Sequence, residues 1–555
     1  MANKLQILSS GESFDLFDGE AERFYITYQI HDLSNLQTRN GDFSRRVSLP
    51  LTAKNKGILG AALPTISRFD SANVGTIPCD IMVNDMPALS DAYFVIDTQE
   101  ENSVTIQIFG GISKFYSDLP DSSINTLSFT AFDWTSTNLI ANTNNTDGVV
   151  IASSQWRTNQ SYRVVDSQGS SVAEYHEAGF FIYTHSILTK IFAGFTDLTF
   201  DTSEMDAQFS KYGIACAMPS IHDQIIAGET VTTSINPHDY FPDISQRDFV
   251  REIFKLQNII AVEANNVVTL KYFKGLETAS SENLVLNSDK DKTIYNTFKT
   301  YSQTNELKYS TDDFVERTDA NSSFPVNSET LPLSGTIIQS KFFPCDVGIV
   351  NTVKNEAVIP CWDYVSFRSG ANFSPTSGTK NFTTNHAFEG KIGDIVAFTA
   401  QTGTYFRIIT LAADKLSGTV DRNFNSNNST NVPLYWRYTF NNHELRIVSL
   451  EDTTNFLFTI NGELFSSQTP SKKAQFIDAM KWSELKGEYY QLLVDTMAKP
   501  FIIKAWINIP TISLLKLNPL APVYVEDYNA YFYINKLEQW KLNTSCRVEL
   551  IQIPI

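Results

Sequence analysis

Apolar and polar residues take turns along FYITYQI (24–30) and SVTIQIF (103–109), the period of a strand with one face buried and one face wet. Shorter runs of similar character, LQIL, RRVSLPLT, IPCDIMVND and DAYFVID, are cut by turn residues. Residues 1–130 are therefore expected to form one antiparallel β domain. From Ser128 to Arg163 the chain turns polar, with Asn142, Asn144, Asn145 and Asp147 ahead of VVIASSQW. That stretch reads as an exposed excursion rather than core.

The period then changes. AGFFIYTHSILTKIFAGF spaces Phe181, Ile187, Leu188, Ile191, Phe192 and Phe195 at roughly helical intervals, and Gly194 is placed to close the helix. A second helix is expected in SQRDFVREIFKLQNII, with Ser245 as cap and Asp248 as its partner three residues on. Phe249, Val250, Ile253, Phe254 and Leu256 form its apolar face. VVTLKYF follows an Asn-Asn turn, so residues 131–275 read as an α+β domain with two helices.

Residues 276–345 read as a polar connector and strands, the acidic stretch from Glu277 to Thr330 being solvated and holding a domain boundary. Between 346 and 472, the segments KIGDIVAFTA, YFRIITLAAD, PLYWRYTF, HELRIVSL and TNFLFTING recur between Asn, Gly, Ser and Thr turns. Their spacing predicts an inserted β-sandwich. From 473 to 555 a helix-like stretch, AQFIDAMKWSELKGEYYQLLVDT, gives way to strands in the style of the first 130 residues. A barrel or tube domain closed by both ends of the chain is expected, in a protein that is mainly β with α+β elements and multidomain.

Composition agrees: 555 residues exceed a single core, which saturates near ~250–300 residues, and 12% aromatics suit pleated surfaces. The net charge of −18 has the wrong sign for a sequence-independent grip on phosphate backbones. Five scattered cysteines read as buried thiols in a reducing cytoplasm, with Cys345 and Cys361 as the one plausible pair. The opening residues lack the pattern of a secretory signal, and no apolar run is long enough to span a membrane.

Candidate chemistry is sparse. None of the seven histidines stands in a metal-ligand spacing. Glu174, His176 and Glu177, and likewise His238, Asp239 and Asp243, are the nearest approaches to clusters, and their ordinary reading is surface polarity. The signatures of acyl transfer, nucleotide hydrolysis and dinucleotide binding are absent, whereas a glycosidase needs no local motif and stays open. No catalytic residue, metal or cofactor is expected. In the inserted module Trp362, Tyr405, Tyr435 and Trp436, with Phe373 and Phe382, would stack on sugar rings if exposed and fill a sandwich core if not.

Three segments carry a resemblance. FYITYQIHDLSNLQTRNGDFSRRVSLPLTAKNKGILG is similar to the opening of tail proteins from phages and prophages of Bacteroidota, through Phe43, Ser44, Arg45, Pro50, Thr52, Asn55, Gly57 and Gly60. ISQRDFVREIFKLQNIIAVEANNVVTLKYF, with its Asp248–Phe249 pair, resembles the helix–strand element of baseplate hub proteins. The C-terminal stretch from MKWSELK to VELIQI resembles their closing strands, with Pro-Val-Tyr before a tyrosine-rich strand. These segments cover about half the chain, and the 346–472 module has no counterpart.

The resemblance implies a tail-tip hub with tube-like β-barrel domains, a structural and non-enzymatic virion protein assembled in the host cytoplasm. It implies a homotrimer whose paired β domains make a pseudo-sixfold ring around the DNA exit channel, joining a sixfold tube to a threefold tip. Tail tube, distal tail and tail-tip or fibre proteins would be its neighbours. The alternatives are a carbohydrate-binding tail adhesin that engages a host-surface glycan through the inserted module, and a hexameric distal tail ring protein.

Overall fold

The computed structural model describes residues 4–7, 11–17, 26–29, 31–36, 43–44, 46–59, 77–83, 86–133, 135–143, 145–154, 162–165, 171–205, 210–216, 234–264, 266–275, 283–286, 290–311, 318–344, 346–350, 354–358, 362–366, 372–387, 392, 395–398, 405–420, 423–424, 432–439, 445–453, 456–460, 463–467, 471–508, 521–540 and 545–554. The protein is mainly β and multidomain, with strands gathered into a large terminal sheet, a central barrel and an inserted head.

Among the described residues the terminal sheet has 13 strands, drawn from both halves of the sequence. Its N-terminal part runs through Ile77–Val83, Met86–Gln99 and Ser103–Phe109. In the last of these Val104, Ile106 and Ile108 are fully buried while the residues between them are half-exposed, as the alternation requires. The joint is Ile26–Tyr28, which pairs with Ala530–Trp540 in antiparallel register, Ile26 opposite Trp540 and Tyr28 opposite Leu537. Cys546–Gln552 and Ile502–Ile507 continue the sheet.

A strap from the polar 276–345 stretch then curls this C-terminal part into a ring. Asn283–Leu284 pairs with Val523–Val525, and Leu286 bridges to Ile507. Leu284 and Leu286 point into the core, and Val285 between them is exposed.

The motif Pro50, Thr52, Asn55 has a local task beside this sheet. Asn55 is fully buried and donates to the carbonyls of Asp15 and Pro50, each at 2.8 Å, while accepting from the Asp15 N–H at 2.8 Å. Thr52 donates to Asp15 and accepts from the Asn55 N–H. A buried amide with all these partners is satisfied and pins the turn. At Gly57 an added Cβ would meet nothing within 4 Å, so packing does not demand glycine there.

The central barrel is closed by five strands. Val149–Ser154 pairs with Ser171–Tyr183, then Tyr212–Ala215, Ile447–Thr453 and Ser471–Gln475 follow, and the last returns to the first. Two expectations change here. The VVIASS part of this stretch is not an exposed excursion, since Val150 and Ile151 are buried barrel residues; they pair with Phe181 and Phe180, and the strand's other neighbour, Ser471–Gln475, lies far along the chain, beyond any local pattern. HELRIVSL and TNFLFTING pair with the barrel rather than with the inserted module.

Helix α1 (Gly111–Asp118) reaches from the terminal sheet toward a small sheet that includes Ile259–Ala264. AGFFIYTHSILTKIF divides between the barrel strand ending at Tyr183 and helix α2, Thr184–Phe192. Phe181 therefore belongs to a strand, whereas Ile187, Leu188, Ile191 and Phe192 are buried on the helix as expected.

Helix α3 (Gln246–Gln257) starts where Ser245 Oγ accepts from the Asp248 N–H, 3.1 Å, and ends at Asn258 in the left-handed region, φ 48°. Its five predicted apolar residues are all buried. Helices α4 (Trp482–Tyr489) and α5 (Gln491–Ala498) pack nearby.

The 302–309 part of the expected solvated connector is folded instead. Tyr301, Ser302, Asn305 and Tyr309 are buried. Asn305 bonds both the N–H and the carbonyl of Ser302, while Tyr301 and Tyr309 donate to the carbonyls of Leu33 and Met480 at 2.7 and 2.6 Å. Polar side chains enter a core when each donor and acceptor is met, which composition does not reveal.

Among the described residues, seven strands of the head form one sheet that closes on itself where Val432–Thr439 pairs with both Asn372–Pro375 and Ile395–Phe398, and Asp346–Val350 with Lys354–Val358 makes a separate hairpin. Tyr405–Leu411 changes partner at a register shift after Ile408, the way strands turn the corner of a sandwich.

Candidate assembly surface

A sheet edge presents unpaired backbone donors and acceptors, which natural proteins usually protect. The terminal sheet's strand path runs from Lys4–Ile7 at one edge to Thr293–Tyr295 at the other. All three residues of the latter are exposed, including Ile294 at 45% and Tyr295 at 40%. One side of the strand pairs with Ile502–Lys504, and no strand among the described residues covers the other. Apolar side chains on an uncovered edge mark a surface suited to a further strand.

Charge is fixed behind this edge. Lys504 lies 5.6 Å from the Tyr295 ring centroid and 2.7 Å from Glu549. Burial works against the Lys504 charge, but the bond to Glu549 prevails and raises its pKa. Glu549, nearly buried, also accepts from Asn535 Nδ2 at 2.5 Å, and Asn535 Oδ1 accepts from the Leu33 N–H at 2.8 Å. The edge is therefore tied through Lys504, Glu549 and Asn535 to the joint between the two halves of the sheet.

Elsewhere the structure offers little chemistry. Asp147, His185 and Ser186 meet at the mouth of the barrel, a grouping the sequence reading missed because 38 residues separate Asp147 from His185. It is not a nucleophile relay. His185 Nε2 faces both Asp147, 3.2 Å, and Ser186 Oγ, 3.4 Å, whereas a relay needs the acid on the other ring nitrogen. Ser186 donates to Asp147 and accepts from the Gly148 N–H at 2.8 Å, so the group staples a turn. The Ser186 hydrogen bond, chiefly, holds the Asp147 carboxyl below the usual carboxylate range.

His238 pairs with Asp239 at 3.2 Å on the exposed surface, and no metal-competent group of three ligands occurs among the described residues. A cavity of about 10 Å³ between Leu256, Gln257, Tyr309, Ile447 and Leu485 has room for one water-sized sphere, too little for a ligand. No helix among the described residues is long and apolar enough to cross a membrane.

The glycan-stacking candidates are placed only by backbone. Trp362, Tyr405, Tyr435 and Trp436 lie on head strands, with Tyr405 and Tyr435 both opposite Ala397 and Trp436 opposite Val365 and Val396. Their side chains lie outside the described residues, as do those of Phe373, Glu174, His176 and Glu177 and the whole of Cys345 and Cys361. Phe382 is buried in the head's core. Cys79, Cys216 and Cys546 are free and buried, and burial raises all three thiol pKa values, that of Cys546 to about 12.

No protein-family model matches the chain, and no curated protein does. Among solved structures, the chain is similar to the 43 kDa tail protein of prophage MuSo2 from Shewanella oneidensis, with TM-score 0.36 and 7% identity over 100% of this chain and 98% of that one. A tail protein from Neisseria meningitidis MC58 gives TM-score 0.36 and 7% identity over 100% and 96%. Prophage tail protein gp18 from Listeria monocytogenes EGD-e gives 0.26 and 7% over 61% and 72%. Likenesses at this level assign no residue and no role; the fold class above rests on the strand pairings themselves.

Proposed function

We propose that this protein is a structural, non-enzymatic component of a phage tail tip, a hub that assembles with copies of itself into a collar around the DNA exit channel. The observation that carries this reading is the terminal sheet, whose Thr293–Tyr295 edge exposes apolar side chains and is covered by no strand among the described residues. Copies that meet edge to edge form a ring when the rotation relating them closes. Two of the segments that resemble tail hubs, those around Phe43 and Val523, supply strands to this same sheet. Within this reading the collar is trimeric, joins the sixfold tube to the threefold tip, and contacts tube, distal tail and tip proteins.

Electron microscopy of particles formed by the purified chain tests it. Threefold rings support the hub; sixfold rings favour the distal tail ring reading; a persistent monomer at high concentration rejects both.

A second reading, glycan recognition by the head, is favoured by how charge is partitioned. Residues 345–444 hold eight acidic and eight basic residues, so the net charge of −18 lies entirely on the rest of the chain. A neutral, Asn- and Thr-rich unit on an acidic body suits an uncharged saccharide bound by hydrogen bonds and stacking. Glycan binding by the full chain that is insensitive to salt supports this reading, and absence of binding across host glycans removes it.

A further inference from the structure

The strand path of the terminal sheet has two unlike ends, Thr293–Tyr295 and Lys4–Ile7. Lys4–Ile7 pairs on one side with residues of Ile77–Val83, Lys4 opposite Met82 and Ile7 opposite Cys79. No strand among the described residues pairs with its other side. Each end therefore offers a row of backbone donors and acceptors to an incoming strand.

Symmetry decides which strand that is. If Thr293–Tyr295 paired with the same residues of a second copy, the contact would be isologous; the twofold axis would use up the edge in both copies and leave a dimer. A cyclic ring of three or six copies needs a heterologous contact, in which one edge meets a different edge of the next copy. Lys4–Ile7, at the far end of the same path, is such an edge.

Charge sets the direction of pairing. Ahead of Thr293 stand Lys290 and Lys292, exposed on either side of Asp291, with their ammonium groups 5.4 Å from the ring centroids of Trp506 and Tyr528. After Ile7 the sequence carries Glu12, Asp15, Asp18, Glu20 and Glu22, and no basic residue before Arg23. Antiparallel pairing turns the lysine-bearing end of one strand toward the acidic end of the other, whereas parallel pairing turns it toward Lys4. Opposite charges across a contact favour the first arrangement and penalise the second.

We infer that Thr293–Tyr295 of one copy pairs, antiparallel, with Lys4–Ile7 of the next, so that the terminal sheets run through the collar without a break. The inference rests on the collar reading and adds to it the identity of the partner strand.

The test uses the full chain with Cys345→Ser and Cys361→Ser, the other three thiols being buried. Ile294→Cys and Gln6→Cys are made separately in this background and treated with a short bismaleimide, each alone and after the two are mixed dilute and then concentrated. Facing residues of paired strands have Cα atoms about 4.5–5.5 Å apart, within reach of the reagent. Covalent dimers are expected in the mixture and in neither variant alone. Self-linking of Ile294→Cys would reveal an isologous contact and overturn the inference. Rings seen by electron microscopy with no cross-link in the mixture overturn it too, while the collar stands on other surfaces; a wild-type chain that stays monomeric removes both. Charge reversal gives a second measurement should Gln6→Cys fail to fold. Lys292→Glu should weaken assembly about threefold, and adding Glu12→Lys to it should restore assembly. Folded variants that show neither effect reject the antiparallel contact.

Discussion

At the scale of single residues, stability rests on polar groups that are buried and fully met. Glu252 and Lys255 on α3 pair at 2.5 Å with almost no exposure, and Glu252 also accepts from Ser340 Oγ and the Lys341 N–H. Removing one member strands the other, so Glu252→Ala should cost about 3–5 kcal/mol in denaturant unfolding. The double change Glu252→Leu with Lys255→Met should cost much less, because it leaves no lone charge. Asp147 makes a different prediction. Its folded pKa is lowered, so its contribution is complete above the unfolded value of about 4 and is lost as pH falls through the folded value. Hydrogen exchange at the Gly148 amide should accelerate in that acid window, and Ser186→Ala should shift the window upward.

At the scale of elements, the head is tightly built at one glycine. A Cβ on Gly418 would lie 2.7 and 2.9 Å from the Phe382 ring and closer still to the Thr410 carbonyl. Gly418→Ala should therefore destabilise the head by about 1–3 kcal/mol, seen in calorimetry as a lowered transition with the body's transition unmoved. Helix α3 and the strand Ser103–Phe109 were legible from sequence because cap and period are local. The barrel strand at Val149–Ser154 was not, since one of its two neighbours, Ser471–Gln475, lies far along the chain and polar turns surround it. The fold of 302–309 was hidden for a different reason: Asn305 and the tyrosine hydroxyls are satisfied by backbone groups that only the folded chain brings near. Of the candidate assembly surface, the shared sheet was legible in the matching style of its two ends. Its open edge was not, because Thr293–Tyr295 sits in a stretch that reads as a connector.

At the scale of the whole molecule, the edge can be tested without disturbing the core. Ile294 is 45% exposed, so Ile294→Lys should leave folding within about 0.5 kcal/mol of wild type. It should also shift sedimentation or mass photometry toward monomer, since lysine is the residue that blocks edge pairing. The joint between Ile26–Tyr28 and Ala530–Trp540 also orders events in time. During synthesis at ~5–20 residues per second, the early strands wait about 25–100 s for their partner to emerge from the ribosome. Until then the platform behind Thr293–Tyr295, built on Ile502–Ile507 and its sheet partners, is incomplete. Under the collar proposed above, a chain interrupted before these strands would lack the Thr293–Tyr295 contact surface.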